Sequence, residues 1–143
     1  MMRLDEVPLS QAAVRDIAVR QDRINRLRAR AYLLSDEDRT LLAMYLDAGS
    51  SVRQIARLTA LSPSTVSRRI RRIIHRLLND LYSVCLRHRR RFTDLELAIA
   101  RDYFIRGLSA RRISREHNVS YYSVLAAVEK ARGFARSLEN PQS

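Results

Sequence analysis

Residue types that form turns, crosslinks and membrane spans are scarce in this 143-residue chain. Three glycines and three prolines are too few for the frequent turns of an all-β fold. The single cysteine, Cys85, excludes an internal disulfide and a cysteine-based metal site, and favours a reducing cytoplasm. No run of 18 apolar residues occurs, so we expect no membrane-spanning helix. The polar N-terminal residues predict no signal peptide.

Lysine is scarce too, because 26 of the 27 cationic residues are arginine and only Lys130 is lysine. Two explanations of this preference stay open: phosphate recognition by guanidinium groups, or a genome whose codons favour arginine. Codon bias does not explain the net charge of +12, which 15 acidic residues leave uncompensated. That charge indicates a polyanionic partner, most often nucleic acid and less often an anionic membrane surface.

What the chain does contain is suited to helices. Its hydrophobic content of 46% is enough for a buried core, and alanine, leucine, isoleucine and arginine dominate. We therefore predict an all-α fold.

An internal repeat organises the chain. A shift of 58 residues aligns Ser35–Ile73 with Thr93–Ala131 without a gap. The aligned segments share nine identical pairs: Asp36/Asp94, Tyr45/Tyr103, Gly49/Gly107, Ser51/Ser109, Arg53/Arg111, Ile55/Ile113, Arg57/Arg115, Ser62/Ser120 and Val66/Val124. This number is high for chance, although a shared helical periodicity inflates it.

Each repeat predicts a helix, a short helix, a tight turn and a third helix. The predicted first helices begin after Ser35 and Thr93 and end at Gly49 and Gly107. Further serines cap the second and third helices: Ser51, Ser62, Ser109 and Ser120. The second helix carries an isoleucine beside a small residue, and the turn is followed by an apolar residue and, five positions on, a valine. This spacing predicts a helix-turn-helix in each repeat.

These patterns divide the chain into an N-terminal helix (1–34), a first helix-turn-helix unit (35–78), a basic helical connector (79–92), a second unit (93–137) and a tail (138–143). The N-terminal helix, capped by Ser10, has a narrow apolar stripe. We favour packing of this stripe within the chain over a coiled-coil homodimer. The connector continues the third helix of the first repeat with a predicted break at Asn79-Asp80, and ends in Arg87–Arg91.

Residues 34–39, 51–56 and 61–72 together resemble the region-4 domain of bacterial sigma-70 family factors. The resemblance covers about 40 residues and is weaker in the second repeat. It implies a bacterial, archaeal or phage-encoded protein whose helix from Ser62 lies in the major groove of promoter DNA. It also implies RNA polymerase as a partner besides double-stranded DNA.

The predicted DNA contacts lie mainly in the first repeat, on the helix from Ser62 and the helix before it. Helical periodicity places the buried side of the third helix at Val66, Ile70, Ile73 and Leu77. The candidate DNA-binding residues of this repeat are Arg53, Arg57, Ser62, Ser64, Thr65, Ser67, Arg68, Arg69, Arg71, Arg72 and His75. The alternative is a solvated basic face without a ligand.

The second repeat predicts a weaker contribution, because the outward face of its third helix is nearly neutral. Its candidate residues are Arg111, Arg112, Tyr121, Tyr122 and Lys130. Either this repeat is a second DNA-binding unit or it packs and docks proteins. The charge is thus expected to form a surface from Ser64 to Arg91.

We expect no catalytic residues, metal or cofactor, because the three histidines lack metal-ligand spacing and no glycine-rich phosphate loop occurs. The predicted function is a double-stranded DNA-binding transcriptional regulator or sigma-like factor. Two alternatives remain: an adaptor that docks on polymerase or another protein, and an accessory protein of DNA packaging or recombination.

Overall fold

The computed structural model describes residues 10–47 and 49–140. Within these ranges the chain forms helices and turns and no strand, which confirms the predicted all-α class. The α-helices are α1 (Gln11–Arg30), α2 (Asp36–Leu46), α3 (Val52–Thr59), α4 (Pro63–Leu78), α5 (Leu81–Arg87), α6 (Asp94–Ala100), α7 (Ala110–His117) and α8 (Tyr121–Glu139). No described helix is both long and apolar enough to cross a membrane.

Hydroxyl side chains set most helix starts. A serine or threonine precedes seven of the described helices and accepts a hydrogen bond from the third helical N–H: Ser10, Ser35, Ser51, Ser62, Thr93, Ser109 and Ser120. Each such cap satisfies an amide at the start of a helix that no carbonyl of the same helix can reach. All seven were predicted from the sequence.

The N-terminal helix packs on the rest of the chain along its second half only. It ends at Arg30, where a 3₁₀ turn (Ala31–Leu33) replaces the last residues of the predicted helix. Leu27 is buried, whereas the Val14 and Ile17 side chains are about half exposed. The Arg30 guanidinium fixes the packed half by donating to the Leu77 carbonyl at 3.0 Å and to Asp80 at 2.7 Å. The predicted packing within the chain is therefore observed for that half.

The predicted break between the third helix and the connector lies where expected. Helix α4 ends at Leu78, and α5 begins at Leu81 after Asn79 and Asp80. The Asn79 side chain accepts a hydrogen bond from the Leu81 N–H at 2.9 Å, which helps to start α5. A 3₁₀ turn (Arg89–Arg91) then follows α5 and leads into Phe92.

The helix of the second repeat before Gly107 departs from the prediction of a plain α-helix. After α6 the backbone forms a π-helical turn, Arg101–Ile105, that buries Asp102 and Ile105. Gly107 has a φ of +69°, and a Cβ there would lie 2.5 Å from Nη1 of Arg76. Glycine is thus favoured here by its backbone conformation, and a larger residue would also have to displace the Arg76 guanidinium.

One apolar core joins the two repeats. Buried side chains from α1 to α5 pack with Ala100, Ile105 and Ala131 of the second repeat. A smaller cluster in the second repeat contains Ile99, Ile113, Val124, Ala127 and Val128, and Phe104 packs against both clusters. The repeats are therefore held together by a shared interior as well as by the chain.

Two backbone contacts made by arginines reinforce this arrangement. Arg76 donates to the Ile105 carbonyl at 3.1 Å, and Arg106 donates to the Leu33 carbonyl at 3.1 Å. At the C-terminal end, α8 continues to Glu139, two residues beyond the predicted boundary of the second unit. Residues 1–9, Ala48 and 141–143, which include the start of the predicted N-terminal segment and the end of the predicted tail, lie outside the described residues.

Candidate nucleic-acid interface

Helices α3 and α4 are joined by a tight turn at Ala60. The Ser51 side chain accepts from the Gln54 N–H at 3.2 Å, and the Gln54 side chain accepts from the Ser51 N–H at 2.8 Å. At its other end α3 stops because Ala60 is left-handed, with a φ of 58° and a ψ of 26°. Ser62 then caps α4, and Pro63 occupies the first turn, where it loses no helical hydrogen bond.

Buried apolar side chains fix the crossing of α3 and α4. Ile55 and Val66 are fully buried, and Ala56, the small residue predicted at the crossing, is 5% exposed. Ile70 lies one turn beyond Val66 on the same buried side of α4. The predicted pattern of the first helix-turn-helix is thus what packs α3 against α4, and it leaves the opposite side of α4 open.

The open side of α4 and the exposed part of α3 carry a set of basic side chains that we call the α3–α4 basic face. These exposed residues are Arg53, Arg57, Arg68, Arg71, Arg72 and His75. Arg53, Arg57, Arg68 and Arg72 make no ion pair with the residues that the structure describes. Arg71 only donates to the Ser67 hydroxyl, at 3.5 Å. Their guanidinium groups are available to a phosphate or a base edge.

Hydroxyl groups cluster at the start of α4. The Ser62 hydroxyl lies 2.8 Å from that of Thr65 and 3.2 Å from that of Ser64. Ser62 and Ser64 are exposed, while Thr65 and Ser67 are partly buried. Because these side chains are short, they let the backbone of α4 approach a groove closely.

Arg69, one of the predicted DNA contacts, lies on the side of α4 that faces α2. Its guanidinium pairs with Asp38 at 3.1 Å and with Glu37 at 3.7 Å. Asp38, in the first turn of α2, is 8% exposed and also pairs with Arg76 at 3.5 Å. Arg69 and Arg76 therefore fix α4 to α2, because both pair with the nearly buried carboxylate of Asp38.

Burial also affects the acid–base chemistry of this contact. Desolvation lowers the pKa of Arg76 below its ordinary value, and the nearby charge of Asp38 opposes that change. The neighbouring cations Arg72 and Arg69 add to the lowering. Arginine still stays protonated at neutral pH, so the contact is an ion pair.

The second repeat uses most of its candidate cations internally. Arg112 pairs with Glu116 at 2.9 Å, and Lys130 pairs with Glu96 at 2.8 Å. Arg111 lies over the Tyr121 ring, 5.7 Å from its centroid. Tyr122 is 79% exposed, the most exposed of the large hydrophobic side chains described. The outward face of α8 therefore offers aromatic and apolar groups rather than free charge.

The pKa of Glu96, the acidic partner of Lys130, is also shifted. Partial burial alone would raise the pKa of Glu96, but hydrogen bonds from Lys130 and Thr93 bring its pKa below the ordinary value. Glu96 also closes a capping box with Thr93, through hydrogen bonds of 2.8 and 3.0 Å. Lys130 is thus paired with an acidic residue in the first turn of α6.

Sequence reasoning missed a buried carboxylate in the second repeat. Asp102 is 2% exposed and accepts from Arg101, Arg106 and His117, the last at 2.7 Å. The spacing of four between Asp102 and Arg106 was the only local signal. His117, the last residue of α7, contributes to this cluster. Within the described residues, no three acidic, histidine or cysteine side chains form a group that could hold a metal ion.

Comparison with known proteins supports one part of this arrangement. A model of the helix-turn-helix domain family matches residues 33–73, from the end of the first 3₁₀ turn to the middle of α4. This supports a DNA-binding helix-turn-helix domain in the first repeat. No curated protein matches the chain. No solved structure matches it either.

Proposed function

We propose that this chain is a double-stranded DNA-binding transcriptional regulator or sigma-like factor that places α4 in the major groove. The observation that carries the proposal is the α3–α4 basic face: its cations are exposed and almost free of internal partners, on a helix-turn-helix that matches a DNA-binding domain family. Cations that serve only folding are paired, as Arg69 and Arg76 are.

In this proposal α3 and α4 have different roles in binding the duplex. Arg53 and Arg57 lie one turn apart on α3 and bind phosphates, which position the protein. Ser64, Arg68 and Arg72 on α4 face the groove, where arginine can contact guanine through two hydrogen bonds. No step requires covalent chemistry, and we propose a binding role without enzymatic activity.

The first test is a fluorescence anisotropy titration of duplex fragments selected from random or genomic DNA. The double variant R68A/R72A should bind more weakly, by about 1–3 kcal/mol for each base-reading arginine that it removes. Its affinity should also depend less steeply on salt, because fewer counterions are released. Unchanged affinity would overturn the proposal.

A matched control separates a binding site from bulk charge. R15A/R20A removes the same two charges from α1, where both arginines are exposed and far from the α3–α4 turn in sequence. This control should retain most of the affinity. An equal loss in both double variants would show non-specific attraction. Equal binding of selected and random duplexes would favour the packaging or recombination accessory.

One observation favours an additional protein-docking role for the second repeat. Tyr121, Tyr122 and Leu125 are exposed at the start of α8, with exposed fractions of 40%, 79% and 37%. A nearly neutral aromatic surface suits a protein partner better than a phosphate backbone. The resemblance to sigma region 4 makes RNA polymerase the partner to test. A Y122A variant that loses polymerase in a pull-down but keeps duplex affinity would support this role.

The homodimer through the N-terminal helix is a separate proposal. Val14 and Ile17 on α1 are 51% and 53% exposed, and they belong to the apolar stripe predicted for this helix. A second copy of α1 is the occupant we propose for this stripe. Sedimentation should then show a dimer that V14D/I17D converts to a monomer. A monomeric wild-type protein at tens of micromolar would contradict it.

A further inference from the structure

A second group of free arginines lies at the end of α5. Arg87, Arg89, Arg90 and Arg91 are all exposed, and none forms an ion pair with the described residues. We call residues Arg87–Arg91 the arginine turn. Four like charges within five residues repel one another, and no described acid lies within ion-pair distance of them. This is unlike most cations of the second repeat, such as Arg112 and Lys130, which are paired.

The arginine turn is part of the folded structure and not a loose basic tail. The His88 N–H donates to the Val84 and Cys85 carbonyls, and the Arg91 N–H donates to the His88 carbonyl at 2.9 Å. Phe134 of α8 packs against the rings of His88 and Phe92, with centroids 5.1 and 5.4 Å apart. Because its backbone is ordered before binding, less entropy is lost when it contacts a ligand.

The arginine turn is separated from the base-contacting end of α4. Helix α4 has 16 residues, so its two ends lie about 24 Å apart at 1.5 Å per residue. The arginine turn follows the break after α4 and rests on Phe134, in the second half of α8. It is therefore held by the second repeat, and the predicted continuous basic surface from Ser64 to Arg91 has two separately supported parts.

Asn79 lies between the two parts. It lines a surface depression together with Arg71 and His75 of the α3–α4 basic face. It also lines the groove between α5 and α8 that Arg87 and His88 border. A polyanion that leaves the end of α4 can thus continue past Asn79 to the arginine turn. That groove also contains Asp80 and Glu139, so we assign the contact to the turn and not to the groove.

We propose that the arginine turn binds the phosphate backbone of the same duplex, beyond the segment contacted by α4. The inference rests on the proposed function, since it needs α4 to place the duplex. Guanidinium groups bind phosphate oxygens through paired hydrogen bonds without reading sequence. The consequence is a footprint that is longer than one helix in a groove requires, with affinity that depends on flanking DNA.

The test uses duplexes that carry the same selected site and are extended on one side, from about 12 to about 30 base pairs. The longest duplex spans more than two turns of DNA at 3.4 Å per base pair. The variant is R89A/R90A, because Arg91 contacts the Phe134 ring at 5.9 Å and should be kept for folding. On the long duplex this variant should bind roughly threefold to tenfold more weakly than wild type, with a salt slope smaller by about two. On the short duplex the two proteins should bind alike.

Two comparisons keep the outcomes distinct. If R68A/R72A weakens binding at every length while R89A/R90A matches wild type at every length, the arginine turn does not contact DNA, and the proposed function stands. If R68A/R72A binds as wild type does, the proposed function itself fails. A loss by R89A/R90A that is equal on short and long duplexes contradicts the extended footprint, as does an equal loss in R15A/R20A on the long duplex. Unchanged thermal melting of R89A/R90A shows that the variant is folded.

Discussion

Helices α4 and α8 occupy corresponding places in the repeated sequence but present different surfaces. Both begin at a serine cap, and both follow a left-handed residue, Ala60 or Asn118. At the positions where α4 exposes Arg68 and Arg71, the shift of 58 residues places Ala126 and Glu129 on α8. One backbone pattern therefore supports two surfaces, because the pattern depends on caps and buried residues and not on the outward side chains.

The two repeats also differ in their buried carboxylates. In the first, Asp38 holds two arginines of α4, and in the second, Asp102 holds Arg101, Arg106 and His117. Asp38 aligns with Glu96 rather than with Asp102. Each repeat thus pairs a different set of cations with its buried carboxylate, and so leaves different cations unpaired.

The largest expected change in the free energy of unfolding follows from replacing these two carboxylates. D102N should lower the free energy of unfolding by about 3 kcal/mol and D38N by about 2 kcal/mol, because Asp102 is the more deeply buried and each substitution leaves cations unpaired. Urea denaturation measures both. D16N, on the exposed part of α1, should change stability by less than about 0.5 kcal/mol. A D38N variant less stable than D102N would reverse the comparison.

The next effect concerns DNA affinity at two aligned positions, Arg72 and Lys130. R72A should weaken duplex binding about tenfold, since its guanidinium has no internal partner and one contact is worth about 1.4 kcal/mol. K130A should change binding by less than about twofold, because Lys130 already pairs with Glu96. Anisotropy titrations on one duplex would show this, and equal losses of affinity would place both repeats on DNA.

A smaller change in stability is expected from substitutions in the turns before α4 and α8. Ala60 has a left-handed φ of 58°, which is strained for a residue with a Cβ, whereas Asn118 at 53° tolerates that region better. A60G should raise the free energy of unfolding by about 1 kcal/mol and the melting temperature by about 3 °C. N118G should stabilise less. Calorimetry of both variants tests the difference, and an equal gain would contradict it.

The smallest effect concerns the two capping boxes, which use Gln54 in the first repeat and Glu96 in the second. E96Q keeps a hydrogen-bonding side chain but loses the charge that pairs with Lys130, so it should cost about 0.5 kcal/mol at pH 7. The pKa of Glu96 is lowered in the folded state, so this stability is present above the ordinary pKa of glutamate and is lost as the pH falls through the lowered value. Denaturation at pH 7 and pH 3 should show the difference between the two proteins shrinking with acidity.

Much of the local structure could be predicted because it depends on neighbours in sequence. The caps at Ser35 and Ser62 and the break at Asn79-Asp80 need only side chains within three residues. The π-helical turn at Arg101–Ile105 could not be predicted in this way. That turn places Asp102 and Ile105 in the interior, and such burial is decided by packing against other helices.

The candidate interface was predictable in its outline and not in its detail. Periodicity correctly placed Val66 and Ile70 on the buried side of α4, and so left Arg68 and Arg72 outside. It could not show that Arg69 turns to Asp38, 31 residues earlier. For a long charged side chain, the position on the helix allows several directions, and the nearest acid selects one.

The amino-acid sequence by itself determined the all-α class, the helix starts and the excess of arginine, because composition and local hydrogen bonds are properties of short segments. Only the tertiary structure decided which arginines stay free. Asp38 pairs with Arg69 and Arg76, while Arg68 and Arg72 face outward, and Arg87–Arg91 lie apart at the end of α5, against Phe134 of α8. The physical reason is that a charge is paired or left open according to which distant residues the fold brings within a few ångströms.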